Sequence, residues 1–288
     1  MKRILLLAFL LLGAYITFAD STAITSRDIM NTMVSRISAA KTLKFTLKSW
    51  ERMNGKDVFN DVDCKLSVSP LKLYLLSKAE PNKGVEILYN EAIWGKKAKV
   101  NPGKMLPNVT LDPYGKQMRK DQHHTILNSG FSFLGQIISR AVKKADTEAP
   151  GQFETLFKYE GEFVWQNRTC YKVTITDPTF KYVDYVVKAG ESIASLEQKN
   201  HICGYLIVEK NKDVVPDVFS LKEGMKIKIP TSYAKKTTLL IDKQTYMPIV
   251  QTMFDDIGQF ERYEFHNVVV NPSFAENEFT TEFSGYKF

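Results

Sequence analysis

The sequence lacks the short motifs that mark most catalytic and nucleotide-binding sites. It has no glycine-rich phosphate loop, no Gly-x-Ser-x-Gly nucleophile turn and no His-Glu-x-x-His pair. Its four histidines include one adjacent pair, His123 and His124, which cannot both face one metal ion from a regular helix or strand. We interpret this pair as polar residues at the entrance of a helix. These absences predict a protein that is not an enzyme and that has neither a metal nor a cofactor.

Cysteine and concentrated charge are also scarce. The three cysteines, Cys64, Cys170 and Cys203, do not have the spacing of a metal site. In an exported chain, Cys64 and Cys170 are the first candidates for one disulfide, and three separate buried thiols are the alternative. The formal net charge of +7 is spread along the chain, without the Lys/Arg tract typical of nucleic-acid binding. We therefore expect no nucleic-acid partner.

Long apolar runs are absent except at the N-terminus. Lys2 and Arg3 precede an apolar run over residues 4–12, and the small residue Ala19 is suited to a cleavage site. Because the apolar run is too short for a bilayer, the pattern predicts a signal peptide over residues 1–19 and no transmembrane span. The mature protein is therefore expected in the periplasm or cell envelope.

The rest of the chain alternates between helical and strand patterns. Residues 22–40 have a helical apolar period. Leu43 and Phe45 then begin a run of period two, and Asn54-Gly55 is typical of a tight hairpin turn. Further strands are predicted around residues 66–75, 85–89, 97–100, 153–159, 162–166, 170–176, 238–241, 247–254 and 260–270, with a second long helix in residues 123–145. Asp255-Asp256 is interpreted as part of a hairpin turn. Consecutive strands with short turns favour an antiparallel meander.

The stretch from Tyr185 to Pro230 reads as a strand, two helices and a strand. Gly190 turns the chain, Glu191 and Ser192 begin the first helix, and the second stops near Asn211. This unit resembles the LysM domain, a small sugar-binding module. The positions that carry the resemblance are Tyr185, Val187, Gly190, Glu191, Ser192, Ile193, Leu196, Asn211, Leu221, Gly224, Ile227, Ile229 and Pro230. Glu197, where the family has a small buried residue, and the long stretch after Asn211 depart from the pattern.

The LysM resemblance implies a glycan groove between two loops. Its ligand would be peptidoglycan or another N-acetylglucosamine glycan. The implied binding residues are Gly190, Glu191, Ser192 and Ile193 in the first loop and Lys212, Asp213, Val214 and Val215 in the second. The alternatives are that the unit docks a protein partner as an adaptor, or that it only caps the rest of the protein.

The surrounding sequence resembles the half-barrel of periplasmic lipoprotein carriers and their receptors, the LolA/LolB-like fold. The long N-terminal helix, the run of strands and the ending LLIDKQTYMPIVQTMFDDIGQFERYEF carry this resemblance. That ending is also similar to an exported bacterial family of unknown function. The carrier resemblance implies a cavity for a lipid or lipoprotein, for which we select Trp50, Leu73, Leu75, Trp94, Phe131 and Phe133. The alternative is that these residues form ordinary core.

The predicted fold is α+β, an antiparallel curved sheet (half-barrel) with helices, interrupted by a small βααβ LysM-like insert. Residues 20–180 and 232–288 would form the half-barrel domain, and residues 181–231 the insert. Because the two ends of such an insert lie close together, it can interrupt a hairpin without separating the host strands. The predicted function is that of a non-enzymatic exported cell-envelope protein that binds glycan through the insert and a lipid or lipoprotein in the half-barrel.

Overall fold

The computed structural model describes residues 24–103 and 106–288. The predicted signal peptide, residues 1–19, lies outside the described residues. Among the helices that are described, none combines the length and the apolar character needed to cross a membrane.

Thirteen strands form two sheets in the described part of the chain. Their bounds are β1 Thr42–Met53, β2 Lys56–Ser67, β3 Lys72–Ser77, β4 Glu86–Asn90, β5 Ala98–Asn101, β6 Val109–Leu111, β7 Phe157–Trp165, β8 Arg168–Thr176, β9 Tyr182–Val186, β10 Lys226–Pro230, β11 Lys236–Asp242, β12 Pro248–Phe254 and β13 Gln259–Val270. Eleven strands form one sheet in the order β6-β5-β4-β3-β2-β1-β13-β12-β11-β8-β7, and β9 pairs only with β10. The large sheet is antiparallel, curved and unclosed, which confirms the predicted α+β half-barrel.

The two long helices pack into the main core on the inner face of the large sheet. The helical segments are α1 Ser26–Ala39, α2 Glu91–Trp94, α3 Lys116–Arg119, α4 Ser132–Glu148, α5 Phe153–Leu156, α6 Ile193–Asn200 and α7 Gly204–Lys210. Thr25 and Asp28 form a capping box at the start of α1. The helices α1 and α4 pack together where Gly135 faces Ile37, since a Cβ atom on Gly135 would lie 3.0 Å from Ile37 Cγ2.

Strand alternation divides the large sheet into an inner and an outer face. In β1, Leu43 and Phe45 point inward and are buried, while Lys44 between them is exposed. Asn54 and Gly55 both have positive φ and make the predicted turn from β1 to β2. The outer face of β3 and β4 carries a second apolar cluster, which the C-terminal segment covers. Its members are Tyr74, Leu76, Leu88, Trp94, Phe274, Phe279, Tyr286 and Phe288.

The βααβ unit interrupts the hairpin between β8 and β11. Thr176 at the end of β8 pairs directly with Lys236 at the start of β11, so the host strands stay together. Between them the chain runs through β9, α6, α7 and β10, and β9 pairs with β10 in antiparallel register. Apolar residues of this unit, including Ile193 and Leu206, belong to the same buried cluster as the core of the half-barrel.

Two local predictions are wrong. The strand predicted over residues 153–159 begins with the helical turn α5, and β7 starts only at Phe157. The candidate disulfide is not formed, since Cys64, Cys170 and Cys203 are all free and buried. Cys64 lies on β2 and Cys170 on β8, with four strands between them. Strands are spaced about 4.8 Å apart, and disulfides need Cα atoms within about 7 Å, so this separation prevents the bond.

Candidate functional site

An apolar cavity lies between the inner face of the sheet and α4. Its volume is about 290 Å³, near the lower end of the roughly 300–1,000 Å³ typical of ligand pockets. The sheet side is formed by inward residues of β1 to β6, β12 and β13, and the helix side by Phe133, Leu134 and Ile137. Asn82 and Gln117 are exposed members of the lining and mark its rim. The principal apolar lining residues are Phe45, Leu47, Val62, Leu75, Ile87, Val100, Leu111, Ile126, Met253 and Phe265.

Two of the six predicted lipid-cavity residues line this cavity. Leu75 reaches it from β3 and Phe133 from α4. Leu73 and Phe131 are fully buried in the neighbouring core instead. The ring of Phe131 packs against Phe265, with centroids 4.4 Å apart.

Trp50 and Trp94 are wrong as cavity residues because both lie on the outer side of the sheet. Trp50 occupies an outward position of β1 and packs against Phe59, with ring centroids 5.1 Å apart. Trp94 packs into the outer cluster beside Phe279. Neither side chain contributes to the cavity lining.

One end of the cavity is polar, and its polar groups bond to one another. The Tyr263 hydroxyl donates to Glu51 at 2.7 Å, and the backbone N–H of His123 donates to the same carboxylate at 2.8 Å. His124 Nε2 lies 2.8 Å from the Tyr233 hydroxyl. Glu51, His124, Tyr233 and Tyr263 all line the cavity. Each has a hydrogen-bond partner within the protein, but His124 Nδ1 is buried without one.

Behind that polar end lies a buried ionic cluster centred on Glu261. His123 Nδ1 lies 2.7 Å from Glu261 Oε1, and His124 Nε2 lies 3.1 Å from the same oxygen. Burial alone would lower the pKa of His123, but its hydrogen bond to Glu261 raises that pKa to about 9. Burial likewise opposes ionisation of Glu261, but the charges of His124 and His123 hold its pKa well below the usual range. The Glu261 carboxylate is therefore held ionised by two imidazoles in the interior of the protein.

A second ionic contact fastens the insert to the half-barrel. The guanidinium of Arg52 on β1 contacts Glu209 on α7 at 2.7 Å and also pairs with Asp255, whose side chain is fully buried. Asp255 lies in the predicted turn between β12 and β13 and accepts the backbone N–H groups of Ile257 and Gly258, each at 2.9 Å. Burial alone would lower the pKa of Arg52, but the two carboxylates raise it. The insert is thus held against one end of the sheet.

Glu197, the residue that departs from the LysM pattern, has a structural role where the insert contacts the half-barrel. Its buried carboxylate accepts the backbone N–H of Gly204 at 2.9 Å, which satisfies the first turn of α7. It also lies 3.7 Å from the guanidinium of Arg119 in the half-barrel. Burial raises the pKa of Glu197. The residue therefore connects both helices of the insert to the host.

The predicted glycan residues fall into two groups. Ile193 and Val215 are fully buried in the core, so they are wrong as residues that would pack on a sugar ring. Ile193 follows the cap of α6 and points into the insert. The other predicted residues are at least partly exposed: Gly190, Glu191, Ser192, Lys212, Asp213 and Val214.

The turn before α6 is held by internal hydrogen bonds. Ser192 is the N-cap of α6 and forms a capping box with Ser195, as the sequence predicted for a hydroxyl cap. Glu191 lies outside the helix and not in its first turn. Its carboxylate accepts the Tyr185 hydroxyl at 2.8 Å and the backbone N–H of Lys188 at 3.0 Å. The role of Glu191 in this turn is structural.

A sequence-family profile described as "Protein of unknown function (DUF1571)" matches residues 41–189, just over half of the chain. The chain belongs to this family. The DUF1571 match covers β1 to β9 and ends before the 239–265 segment that carried the carrier resemblance. A search among curated proteins gives no match.

Solved structures with a similar overall architecture are distant from this DUF1571 protein. Lipoprotein LppX from Mycobacterium tuberculosis has 10% identity and a TM-score of 0.40, covering 87% of this chain and 97% of that one. LprF from Mycobacterium bovis has 12% identity and a TM-score of 0.39, covering 88% and 97%. A LolA superfamily protein from Nitrosomonas europaea has 8% identity and a TM-score of 0.30, covering 90% and 98%. Likenesses this low carry no inference about ligand or function.

Sequence reasoning missed the cluster around Glu261. His123 and Glu261 are 138 positions apart, and Cys203, which lies beside them, is 80 positions from His123. The adjacent histidines were the only local signal. They lie in the loop after α3 and directly precede Thr125, the N-cap of a one-turn 3-10 helix over Ile126–Asn128. They therefore stand before a short helix, and not at the start of the long helix predicted over residues 123–145.

Proposed function

We propose that this protein is a non-enzymatic, exported cell-envelope protein that binds the apolar chain of a lipid inside the half-barrel. The cavity under α4 carries this proposal. About half of its lining residues are Phe, Leu, Ile, Val or Met, and the surface that these side chains form offers a water molecule few hydrogen-bond partners. An apolar chain would gain hydrophobic contact along the same walls, at about 25 cal/mol per Å² of apolar surface removed from water.

The polar end of the cavity leaves only one described side-chain atom, His124 Nδ1, for a polar group of a ligand, so it supports recognition mainly of the apolar chain. Glu51 already accepts two hydrogen bonds there, and Tyr233 donates to Glu261 at 2.7 Å. Because these groups have partners within the protein, a ligand need not satisfy them. The proposed selectivity is therefore for one slender apolar chain that enters past Asn82 and Gln117.

Filling the cavity should abolish lipid binding. Val62 on β2 lines the cavity and is not fully buried, so a phenylalanine there would occupy ligand space without replacing a tightly packed residue. We expect the wild-type protein to bind a fluorescent long-chain fatty acid saturably, at one per chain. We expect Val62→Phe to bind it at least about tenfold more weakly, which corresponds to ~1.4 kcal/mol. Fluorescence titration measures both affinities.

Val269→Phe is the matched control, because Val269 is exposed on the outer side of β13. It should bind the probe as the wild type does, and circular dichroism should show both variants folded. Equal probe affinity in Val62→Phe and in the wild type, or binding that never saturates, would refute the cavity as the binding site.

Glycan binding by the insert is the second candidate function. Gly190, Lys212 and Asp213 are exposed on the loops that the LysM resemblance selects. If these loops bind peptidoglycan, purified sacculi should retain the wild type, and the double variant Lys212→Ala, Asp213→Ala should elute several-fold earlier. Lys226→Ala, an exposed change on β10, is the control.

Failure of sacculi to retain the wild type would count against glycan binding. The contacts of Arg52 and Arg119 with the insert would then favour a unit that caps the half-barrel. An adaptor would instead lose a protein partner when residues 181–231 are removed.

A further inference from the structure

Three metal-ligating side chains meet where the insert contacts the half-barrel. Cys203 precedes α7 in the insert, Glu261 lies on β13 and His123 lies in the loop after α3. All three residues are fully buried, and their ligand atoms lie within 4.8 Å of one another. We propose that Cys203, Glu261 and His123 bind one transition-metal ion of the Zn²⁺ class, which fastens the insert to the half-barrel.

The distances between the three ligand atoms leave room for one ion. His123 Nδ1 and Glu261 Oε1 are 2.7 Å apart, Cys203 Sγ and Glu261 Oε1 are 3.5 Å apart, and Cys203 Sγ and His123 Nδ1 are 3.9 Å apart. A point about 2 Å from each atom lies inside this triangle, and Zn²⁺ bonds are about 2.0–2.3 Å long to nitrogen, oxygen and sulfur. Shifts of a few tenths of an ångström would bring all three atoms to bonding distance, and the fourth position of the usual tetrahedron is left to a non-protein ligand such as water.

Neighbouring groups orient two of the three ligands. His123 Nε2 lies 3.0 Å from the carbonyl oxygen of Arg52, which can only accept, so Nε2 carries a proton and Nδ1 faces the trio. A backbone carbonyl on the second ring nitrogen is a usual contact of a metal-bound histidine. The Tyr233 hydroxyl donates to Glu261 Oε2, which leaves Oε1 turned toward Cys203 and His123.

The charges of the trio suit a divalent ion. A buried charge without compensation is costly. The thiolate of Cys203 and the carboxylate of Glu261 together balance a dication, while His123 binds as neutral imidazole. Binding releases the proton of the Cys203 thiol and any proton on His123 Nδ1, so metal replaces protons and no net charge is added to the interior.

The test is metal content and Co²⁺ spectroscopy of the purified protein. After loading with Zn²⁺ and dialysis, the wild type should retain about one zinc per chain by mass spectrometry. Co²⁺ in its place should give the near-ultraviolet absorption of a thiolate–Co²⁺ bond. Cys203→Ser should bind metal at least about 100-fold more weakly and lose that absorption. The control is Cys170→Ser, which changes a different buried cysteine, located on β8. This variant should retain both the wild-type metal affinity and the thiolate absorption.

Either of two results would overturn the metal site. One is a wild type that retains no zinc, or binds Co²⁺ without the thiolate absorption. The other is a folded Cys203→Ser variant that keeps the wild-type affinity. If Cys203→Ser does not fold, Glu261→Gln is tested in place of Cys203→Ser, and it should likewise bind the metal ion more weakly than the wild type. The Co²⁺ spectrum of the wild type, compared with Cys64→Ser and Cys170→Ser, then decides whether Cys203 is the bound thiolate.

Discussion

Arg52→Ala should destabilise the protein by about 3–5 kcal/mol, the usual cost of leaving a buried carboxylate without its partner. The Arg52 side chain is only 10% exposed, and that of its partner Asp255 is fully buried. Arg52 also bonds Glu209 in the insert and donates to the carbonyl of Gln259 at 3.0 Å. Its removal would therefore weaken the β12–β13 turn and the attachment of the insert together.

Urea unfolding followed by circular dichroism measures this loss. Lys97→Ala is the matched control, because Lys97 pairs with Asp112 at 3.0 Å while both side chains are about half exposed. Exposed ion pairs contribute little to folding stability, so the unfolding midpoint of the control variant should stay near that of the wild type. An Arg52→Ala midpoint equal to that of Lys97→Ala would show that the Arg52 contacts do not hold the insert.

Phe131→Ala should cost about 3–5 kcal/mol of unfolding free energy, because it removes a large buried ring and leaves a cavity. Phe131 is 1% exposed and lies between Phe45 and Phe265, with ring centroids at 6.2 Å and 4.4 Å. The carrier resemblance predicts Phe131 in the cavity lining, but the structure makes it part of the packed core beside the cavity. Thermal and urea unfolding give the size of the loss.

Phe133→Ala separates packing from ligand binding. Phe133 is only partly buried and lines the cavity. Its truncation should cost clearly less stability than Phe131→Ala while changing the affinity for the fatty-acid probe. Equal losses of stability in the two variants would contradict the distinction between core and cavity lining.

Much of the half-barrel could be predicted because its signals are local. Alternation in Leu43 and Phe45, with Asn54-Gly55 after it, identified the first hairpin and the inward face of β1. The same alternation places Trp50 on the outer face, so its assignment to the cavity contradicted the pattern that defined the strand. Large apolar side chains alone do not indicate which face of a sheet they occupy.

Other features depend on contacts between distant parts of the chain. Trp94 packs into the outer cluster that the C-terminal segment covers, and no periodicity near residue 94 indicates that cover. His123, Cys203 and Glu261 come from a loop, the insert and the last strand, so no spacing rule could bring them together. The helical turn at Phe153 follows from packing against α1 and β7, which outweighs a weak strand preference.

The first and last strands of the half-barrel are neighbours near its middle: Leu43 in β1 pairs with Val270 in β13. During synthesis, β1 through β6 are therefore complete long before the partner of β1 exists. Until then β1 is an edge strand with unpaired backbone groups, which favours pairing with another chain. Contacts so far apart in sequence also slow folding. Any chain that stops before residue 259 would keep that edge open, so truncated products should aggregate more readily than the complete protein.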